Sequence, residues 1–246
     1  MLELKNISFR VEDADIRKDI LQHIDLTIEE RFVAITGPNG GGKSTLAKVI
    51  AGIIKPSEGR ILLDGEDITD LSITERAHRG ISFAFQQPVR FKGITVHDLL
   101  SLAGGKNMSV SEACAYLSEV GLCAKDYINR EVNASLSGGE LKRIEIATVM
   151  VRGTRLSVFD EPEAGIDLWS FNNLIQVFEN MHKKEGGSIL IISHQERILN
   201  IADKIVVVAG GRITDVGTPD TILPTLLNAS GTCSALTDKL AGGAVK

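Results

Sequence analysis

A chain of 246 residues, 43% of them apolar, is long enough to bury a substantial core and fits one α/β domain or a core with a small insertion. Its net charge of −5 argues against broad nucleic-acid binding, which requires a basic face, so we expect no nucleic-acid partner. No apolar run approaches the roughly 18–20 residues that span a bilayer. The first residues also lack a signal-peptide pattern, so we expect a cytoplasmic protein that does not itself insert into a membrane.

The first fifty residues predict two strands, a third strand and a helix. Residues 2–9 and 20–28 alternate apolar and polar side chains with a period of two, and the polar residues 12–15 between them predict a turn. Residues 31–36 form a short apolar run that is rich in strand formers. Residues 46–51 then have helical spacing.

Residues 37–45 join this third strand to this helix and read G-x-x-x-x-G-K-S-T, the phosphate loop of a nucleoside-triphosphate site. Glycines let backbone N–H groups turn inward around phosphate oxygens, and the helix presents its positive end to the same anion. We predict that Lys43 contacts the outer phosphates and that the Ser44 hydroxyl ligates Mg²⁺. The predicted nucleotide-binding residues of the loop are Gly37, Asn39, Gly40, Gly42, Lys43, Ser44 and Thr45.

The next stretch predicts a turn at residues 55–59 and a strand at 60–65 that ends in an Asp-Gly turn. Capping-box spacing predicts a short helix that begins at Ser72. Residues 80–85 return to strand character and end before Gln86. The Gln86 amide could contact Mg²⁺ or the attacking water, and an ordinary surface glutamine is the alternative.

Helical spacing dominates residues 89–152, and we predict a helical insertion there. Within it, residues 136–140 read Leu-Ser-Gly-Gly-Glu and precede a helical stretch. A serine and two glycines at a helix start form a second potential anion site. Spacing leaves open whether this site contacts the same nucleotide, completes the site of another subunit, or is an unused helix cap. The residues concerned are Ser137, Gly138 and Gly139.

Two later strands end in polar residues that point to catalysis. Residues 156–159 lead into Asp160 and Glu161, and ligands of parallel sheets bind beyond the carboxyl ends of the strands. Asp160 can hold Mg²⁺, and Glu161 can orient and deprotonate the water that attacks the γ-phosphate. Residues 189–193 lead into His194, which we interpret as a γ-phosphate sensor that also positions this water. A solvated strand edge and a packing histidine are the respective alternatives.

The remaining chain predicts a helix at residues 168–184, a helix from Glu196, and strands at 205–208 and 212–215. Beyond Asn228 the composition indicates a loosely held tail to which we assign no chemistry. Three cysteines without C-x-x-C spacing predict reduced, partly buried thiols, and a cluster or metal ligand is the alternative. They are Cys114, Cys123 and Cys233.

Taken together and in this order, the phosphate loop, Gln86, residues 136–140, Asp160–Glu161 and His194 resemble an ABC-type ATPase. The resemblance implies an α/β fold: a RecA-like P-loop ATPase core with an antiparallel β-subdomain and a helical subdomain. We expect an ABC ATPase domain at 1–228, with the core and β-subdomain at 1–88 and 153–228, the helical subdomain at about 89–152, and a tail at 229–246.

The resemblance also implies an ATP-dependent homodimer of this chain, with two subunits paired head to tail. Ser137 and Gly139 of one subunit would cap the γ-phosphate that Lys43 of the other holds. Asp167 matches the D-loop that links the two sites across the interface. Glu161 would be the general base, and the implied ligands are ATP and Mg²⁺.

A closer resemblance is to the SufC family, the soluble ABC ATPases of iron–sulfur cluster assembly. Residues 11–13, 85–89 and 136–143 carry it, whereas Leu141, residues 164–167 and residues 90–93 depart from the family and indicate a divergent branch. Val11 stands where most transporter ATPases place an aromatic ring against adenine. Without this ring, a stacking contact of roughly 1–3 kcal/mol is missing. We therefore expect adenine to be bound weakly or to be recognised by other residues.

Three functions therefore compete. The first is an ATPase that drives conformational change in a SufB- or SufD-like scaffold, and residues 11–13, Pro88–Val89 and Lys142–Arg143 favour it. The second is the ATP-binding subunit of a membrane transporter, which would contact transmembrane subunits near Gln86 and residues 89–105. The third is a nucleotide-gated protein of DNA repair or translation. It ranks last because it requires long coiled-coil insertions or tandem domains.

Overall fold

The computed structural model describes residues 1–13, 16–133, 135–184 and 186–227. The predicted tail, Cys233 and the tip of the first turn lie outside the described residues. Of the other two cysteines, both are free and Cys123 is exposed. Within the described ranges, no helix is both long and apolar enough to cross a membrane.

Strands and helices follow the predicted order along the chain. The strands are β1 (Leu2–Asp13), β2 (Ile16–Ile28), β3 (Phe32–Thr36), β4 (Glu58–Leu63), β5 (Glu66–Asp67), β6 (Ile81–Ala84), β7 (Leu156–Asp160), β8 (Ser188–Ile192), β9 (Lys204–Ala209) and β10 (Arg212–Gly217). The helices are α1 (Lys43–Ala51), α2 (Ile73–His78), α3 (Val96–Gly104), α4 (Val110–Glu119), α5 (Ala124–Tyr127), α6 (Gly138–Arg152), α7 (Leu168–Lys183) and α8 (Glu196–Asn200). A further helical segment covers residues 219–227.

Six strands form the central sheet in the order β10-β9-β3-β8-β7-β6. All neighbours pair in parallel except β10, which is antiparallel to β9. β3 and β7 are buried along their whole length, as their continuous apolar runs predict for strands covered on both faces. The carboxyl ends of β3, β7 and β8 therefore meet at one edge of the sheet.

A second, antiparallel sheet has the order β2-β1-β4-β5. Its first two strands extend further than the alternating pattern predicts, because pairing between Arg10–Asp19 and Val11–Lys18 continues the ribbon through polar residues. β5 was not predicted, since two exposed acidic residues carry no periodic signal.

The central sheet separates two hydrophobic cores. Phe32 and Ala34 of β3 belong to the core shared with the helices between residues 96 and 178. Val33 and Ile35 belong to the core shared with α1 and the antiparallel sheet. This arrangement agrees with the predicted fold class of a P-loop core, a β-subdomain and a helical part. The exact bounds of these parts stay a prediction.

Helix ends in this chain are closed by side chains. The predicted start at Ser72 is confirmed, since Ser72 and Glu75 form a capping box. The C-terminal end of α1 is closed by Arg76, which is 1% exposed and donates to the carbonyls of Val49 and Ile50 at 2.7 and 2.8 Å. Gly52 (φ +79°) ends α1, and a Cβ there would lie 2.9 Å from Arg76. α1 is therefore fixed at the end opposite the phosphate loop.

Candidate nucleotide-binding and hydrolysis site

The phosphate loop connects β3 to α1, as the motif predicts. Its first glycine, Gly37, has φ +132°, and a Cβ there would lie 2.1 Å from the carbonyl oxygen of Val208. Only glycine fits this close approach to β9. The loop also closes on itself, because Gly41 N donates to the carbonyl of Pro38 at 3.1 Å.

Lys43 lies inside this loop and is 5% exposed. Its Nζ donates to the carbonyls of Gly37 and Pro38 at 2.8 and 2.9 Å. Burial lowers the pKa of Lys43, and the negative charges of Glu161 and Asp160 partly oppose this shift. The ammonium group is thus held where the loop would receive the outer phosphates.

Ser44 and Asp160 come from two different elements and meet at this edge. Ser44 Oγ donates to Asp160 Oδ1 at 2.8 Å, and Asp160 is 2% exposed. Burial raises the pKa of Asp160, whereas the hydrogen bond from Ser44 lowers it. Two hard oxygen donors are therefore adjacent, as an Mg²⁺ shell requires.

Glu161 lies between Gln86 and His194. Gln86 Nε2 donates to Glu161 Oε2 at 2.6 Å, and His194 Nε2 lies 3.7 Å from Glu161 Oε1. Burial lowers the pKa of His194, the charge of Lys43 lowers it further, and Glu161 opposes both. The structure thus brings together the three residues that the sequence predicted for catalysis. The backbone of Glu161 has φ +47°, in the left-handed region.

A buried ion pair that sequence patterns did not reveal fixes the backbone at Gln86. Lys142, 1% exposed, lies in α6 and donates to the carbonyls of Phe85 and Gln86, the latter at 2.9 Å. Its Nζ lies 3.6 Å from Glu145 Oε2, while Phe85 N donates to Glu145 Oε1 at 2.9 Å. Burial lowers the pKa of Lys142 and raises that of Glu145. The only signal in the sequence is a Lys and a Glu three residues apart on an otherwise apolar helix face.

A second acidic residue that the sequence analysis missed, Glu163, follows Glu161 in the loop after β7. Ser193 Oγ donates to Glu163 Oε1 at 2.6 Å, and Ser193 is fully buried. Burial raises the pKa of Glu163, while hydrogen bonds from Ser193 and from the backbone of His194 lower it. No sequence pattern marks this contact, because it joins two loops 30 residues apart.

The Leu-Ser-Gly-Gly-Glu segment forms the start of α6. Ser137 Oγ accepts from Glu140 N at 3.3 Å, and Glu140 Oε2 accepts from Ser137 N at 2.6 Å. Ser137 and Gly138 are exposed, and Gly139 is partly exposed. Among the described hydrogen bonds, those of the Ser137 side chain stay within this helix start and do not reach the phosphate loop.

Two further predicted residues lie away from these contacts. Val11 is 42% exposed on β1 and pairs with Lys18 of β2. Asp167 is exposed before α7, where its Oδ1 accepts from Ser170 N at 3.0 Å. Their predicted roles beside adenine and at the subunit interface stay predictions.

An apolar groove opens on the surface next to Gln86, between β6, α3 and α6. It encloses about 180 Å³. Val89 and Phe91 on its rim are 46% and 36% exposed. A neighbouring cavity of about 550 Å³ shares Phe83, Leu99 and Thr148 with it. The groove is lined by Phe83, Phe85, Val89, Phe91, Leu99, Val132, Leu141, Ile144, Glu145 and Thr148.

Known proteins resemble this chain in sequence and in fold. The sequence model of the ABC transporter family matches residues 21–164. An uncharacterized ABC transporter ATP-binding protein of Methanocaldococcus jannaschii is 40% identical over 222 residues, covering 85% of this chain and 88% of that protein. A probable ATP-dependent transporter, ycf16, of Antithamnion sp. is 32% identical over 240 residues and covers 91% and 93% of the two chains.

Among solved structures, the fold is similar to that of an ATP-binding cassette crystallised as a dimer in a post-hydrolysis state with ADP and phosphate. The TM-score is 0.81 at 24% sequence identity, and the match covers 89% of this chain and 99% of the other.

Proposed function

This chain belongs to the ABC transporter family and is an ATPase, and from that premise we propose that it is the ATP-binding subunit of a membrane transporter. The proposal rests on one observation above the others: the phosphate loop, Asp160, Glu161 and His194 lie at the carboxyl edge of one sheet, and an apolar groove opens beside Gln86. The relatives that match most of the chain are named as transporter ATP-binding proteins or transporters.

The proposed binding step uses charge and backbone donors. The triphosphate of ATP would lie in the loop at the positive N-terminal end of α1. Lys43 would exchange its bonds to the loop carbonyls for bonds to the outer phosphates. Ser44, Asp160 and Gln86 would hold Mg²⁺, which neutralises phosphate charge when bound. The adjacent oxygens of Ser44 and Asp160 fit this hard cation.

The proposed chemical step is attack of a water molecule on the γ-phosphorus. Glu161 would accept the proton of this water while the bond between the γ-phosphorus and the bridging oxygen breaks, which releases ADP and inorganic phosphate. His194, adjacent to Glu161, would orient the water and contact the γ-phosphate. The Gln86 amide occupies Oε2 of Glu161, which would leave Oε1, beside His194, to accept the proton.

Two copies of the chain would complete each site. The Ser137 helix start would cap the γ-phosphate held by the phosphate loop of a second subunit, and Asp167 would lie at the interface between them. Support comes from the exposed N-terminus of α6, whose positive end has free access to an anion. The similar cassette that was solved as a dimer adds to this support.

The transmembrane partner would dock in the apolar groove. Val89 and Phe91 expose apolar surface there. Gln86 lies between the end of β6 and Val89 in the chain, so this surface is directly connected to the site. The test is affinity purification of the tagged chain from detergent-solubilised membranes of its own host. We expect a partner with membrane-spanning helices to co-purify with the wild type but not with Phe91→Glu. Val216→Glu, at an equally exposed apolar residue on β10, is the matched control.

A second candidate is the ATPase of a SufB- or SufD-like iron–sulfur scaffold. The motifs at residues 85–89 and at Lys142–Arg143 favour it, as does Val11, because Phe9 is the only aromatic residue of β1 and β2. The sequence motifs ranked this candidate first, and the names of the relatives reverse the order. A soluble, iron-containing partner that requires Phe91 would establish it instead. Absence of any Phe91-dependent partner from both fractions would contradict both candidates.

A further inference from the structure

Glu163 is a partly buried acidic group for which the hydrolysis mechanism described above has no use. It lies two residues after the proposed base, on the segment between Glu161 and Asp167. Its Oε2 atom is buried and, among the described residues, has no hydrogen-bond partner. Its hydrogen-bonded oxygen is therefore Oε1, and the donor is a side chain from another loop.

The donor belongs to the turn that carries His194. Ser193 Oγ donates to Glu163 Oε1 at 2.6 Å. Ser193 is fixed in turn, because its N–H donates to Ile35 O of β3 at 3.1 Å and its Oγ accepts from Gln195 N at 3.0 Å.

These contacts connect two parts of the site that the chain separates. One part is the loop after β7, which carries Glu161 and Asp167. The other is the exit of β8, which carries His194. His194 itself is half-exposed and has only the 3.7 Å contact to Glu161 on its ring among the described ion pairs. Its ring has few restraints of its own, so its position depends on its backbone.

We propose that Glu163 is a positioning residue for His194: by accepting the hydrogen bond from the Ser193 hydroxyl, it holds the histidine turn in register with the loop that carries Glu161. A shift of the Asp167 segment, where the partner subunit would dock, would then reach His194 through this carboxylate. The inference rests on the role of His194 in the proposed function.

The experiment compares Glu163→Gln, Glu163→Ala, Ser193→Ala and the double alanine variant in the full-length chain. Glutamine keeps an oxygen that accepts from Ser193, so we expect its kcat to stay within a few-fold of the wild type. Glu163→Ala and Ser193→Ala should each lower kcat about 10- to 100-fold, because small displacements of a catalytic group have effects of this size. The KM for ATP should change little, since the phosphate loop is untouched.

Non-additivity of the kcat losses without a matching loss of the thermal midpoint is the decisive readout, because a general structural role would lower both. If Glu163 and Ser193 act as one unit, the double variant should lose no more kcat than either single variant. Glu196→Ala, an exposed acidic residue at the start of α8, is the matched control and should leave kcat unchanged. The thermal midpoint of each variant shows whether it is folded.

Several outcomes would overturn the inference. One is a Ser193→Ala variant with wild-type kcat, which decides the question even if Glu163→Ala does not fold. Another is a double variant whose loss equals the product of the two single losses. His194→Ala separates the two proposals: unchanged turnover in that variant removes the proposed role of His194, and the inference with it. Loss of turnover in His194→Ala alone, with Ser193→Ala active, contradicts only the role of Glu163.

Discussion

At the scale of single residues, the site is a set of charges whose partners are already in place. Lys43 is bonded to loop carbonyls, Asp160 to Ser44 and Glu161 to Gln86. Each pair supplies the hydrogen bond that its buried or half-buried charge requires. Nucleotide binding must therefore exchange these contacts for others. The Gln86–Glu161 contact occupies one oxygen of the carboxylate that would accept a proton from water.

Replacement of Glu161 by Gln tests its role as the base. The amide keeps the shape of the side chain but cannot accept the proton, so we expect turnover to fall about 10²–10⁴-fold. Phosphate release under saturating ATP and Mg²⁺ measures this, with ATP binding expected to persist. Glu196→Gln, at an exposed acid at the start of α8, is the control. Turnover within a few-fold of the wild type would reject the role of Glu161.

The residues that sequence reasoning found and missed differ in how their contacts arise. The phosphate loop, Asp160, Glu161 and His194 each follow directly from the end of a strand, so the order of elements alone brings them to one edge. Glu163 and Lys142 act through contacts with loops 30 and 56 residues away, respectively. Such contacts depend on how loops fold over one another, and no local spacing reports them.

At the scale of elements, α6 has three functions along one helix. Its start carries the capping box of Ser137 and Glu140, and its second turn carries the buried pair Lys142–Glu145. Its residues Leu141, Ile144, Glu145 and Thr148 line the apolar groove. A movement of α6 would therefore shift the Ser137 helix start, the backbone at Gln86 and the apolar groove together.

Replacement of Lys142 tests how much its contacts with the Gln86 backbone and with Glu145 stabilise the fold. In Lys142→Met the Glu145 carboxylate loses its charge partner and two backbone carbonyls lose their donor, so we expect unfolding to become easier by about 3–5 kcal/mol. Urea unfolding followed by circular dichroism measures the change. Lys183→Met, at an exposed lysine of α7, is the control. A loss below about 1 kcal/mol, the range of surface pairs, would show that the buried pair contributes little.

The start of α4 predicts a pH effect on stability. Hydrogen bonds from the Ser109 backbone and side chain, followed by Lys106, lower the pKa of Glu112 from 4.5 to about 2. A carboxyl whose pKa is lower in the folded chain stabilises it fully above pH 4.5 and loses that effect as pH falls toward 2. Thermal midpoints between these limits should therefore fall less steeply in Glu112→Gln and in Ser109→Ala than in the wild type. An unchanged slope in both variants would contradict this.

At the scale of the whole molecule, the Ser137 helix start and the phosphate loop belong to different parts of the fold. One begins the long helix of the helical part, and the other joins the central sheet to α1. Within the described residues, the bonds of Ser137 stay inside its own helix start. In the proposed dimer, the Ser137 helix start of one subunit and the phosphate loop of the other would bind the same nucleotide.

Ser137→Arg tests the dimer directly. The arginine would fill the space that a γ-phosphate occupies, so ATP-driven dimerisation should disappear while each monomer still binds ATP. Gel filtration in the Glu161→Gln background, with ATP and Mg²⁺, measures the assembly. Ser109→Arg is a matched control, because Ser109 caps α4 through the same kind of box. A dimer that persists in Ser137→Arg would exclude the cap in trans.

The overall architecture was largely predictable, because long apolar runs, glycine turns and capping boxes report it locally. Strands β3, β7 and β8 and helix α7 agree with their predicted bounds to within one residue. The ribbon of β1 and β2 was underestimated, and β5 was missed, since backbone pairing rather than side-chain pattern fixes them. The apolar groove, where the proposed partner would dock, is built from β6, α3 and α6, and periodicity does not describe its shape.

The bonds of Lys43 to its own loop have a consequence for the tempo of the reaction cycle. The two bonds close the loop around the Lys43 ammonium group, so part of the loop's conformational entropy is lost when the chain folds rather than when nucleotide binds. Under the proposed mechanism, nucleotide binding would replace the two carbonyl acceptors of Lys43 by phosphate oxygens. In the proposed cycle, the phosphate loop would keep its shape during repeated turnover. The larger movements would occur where the chain contacts other subunits.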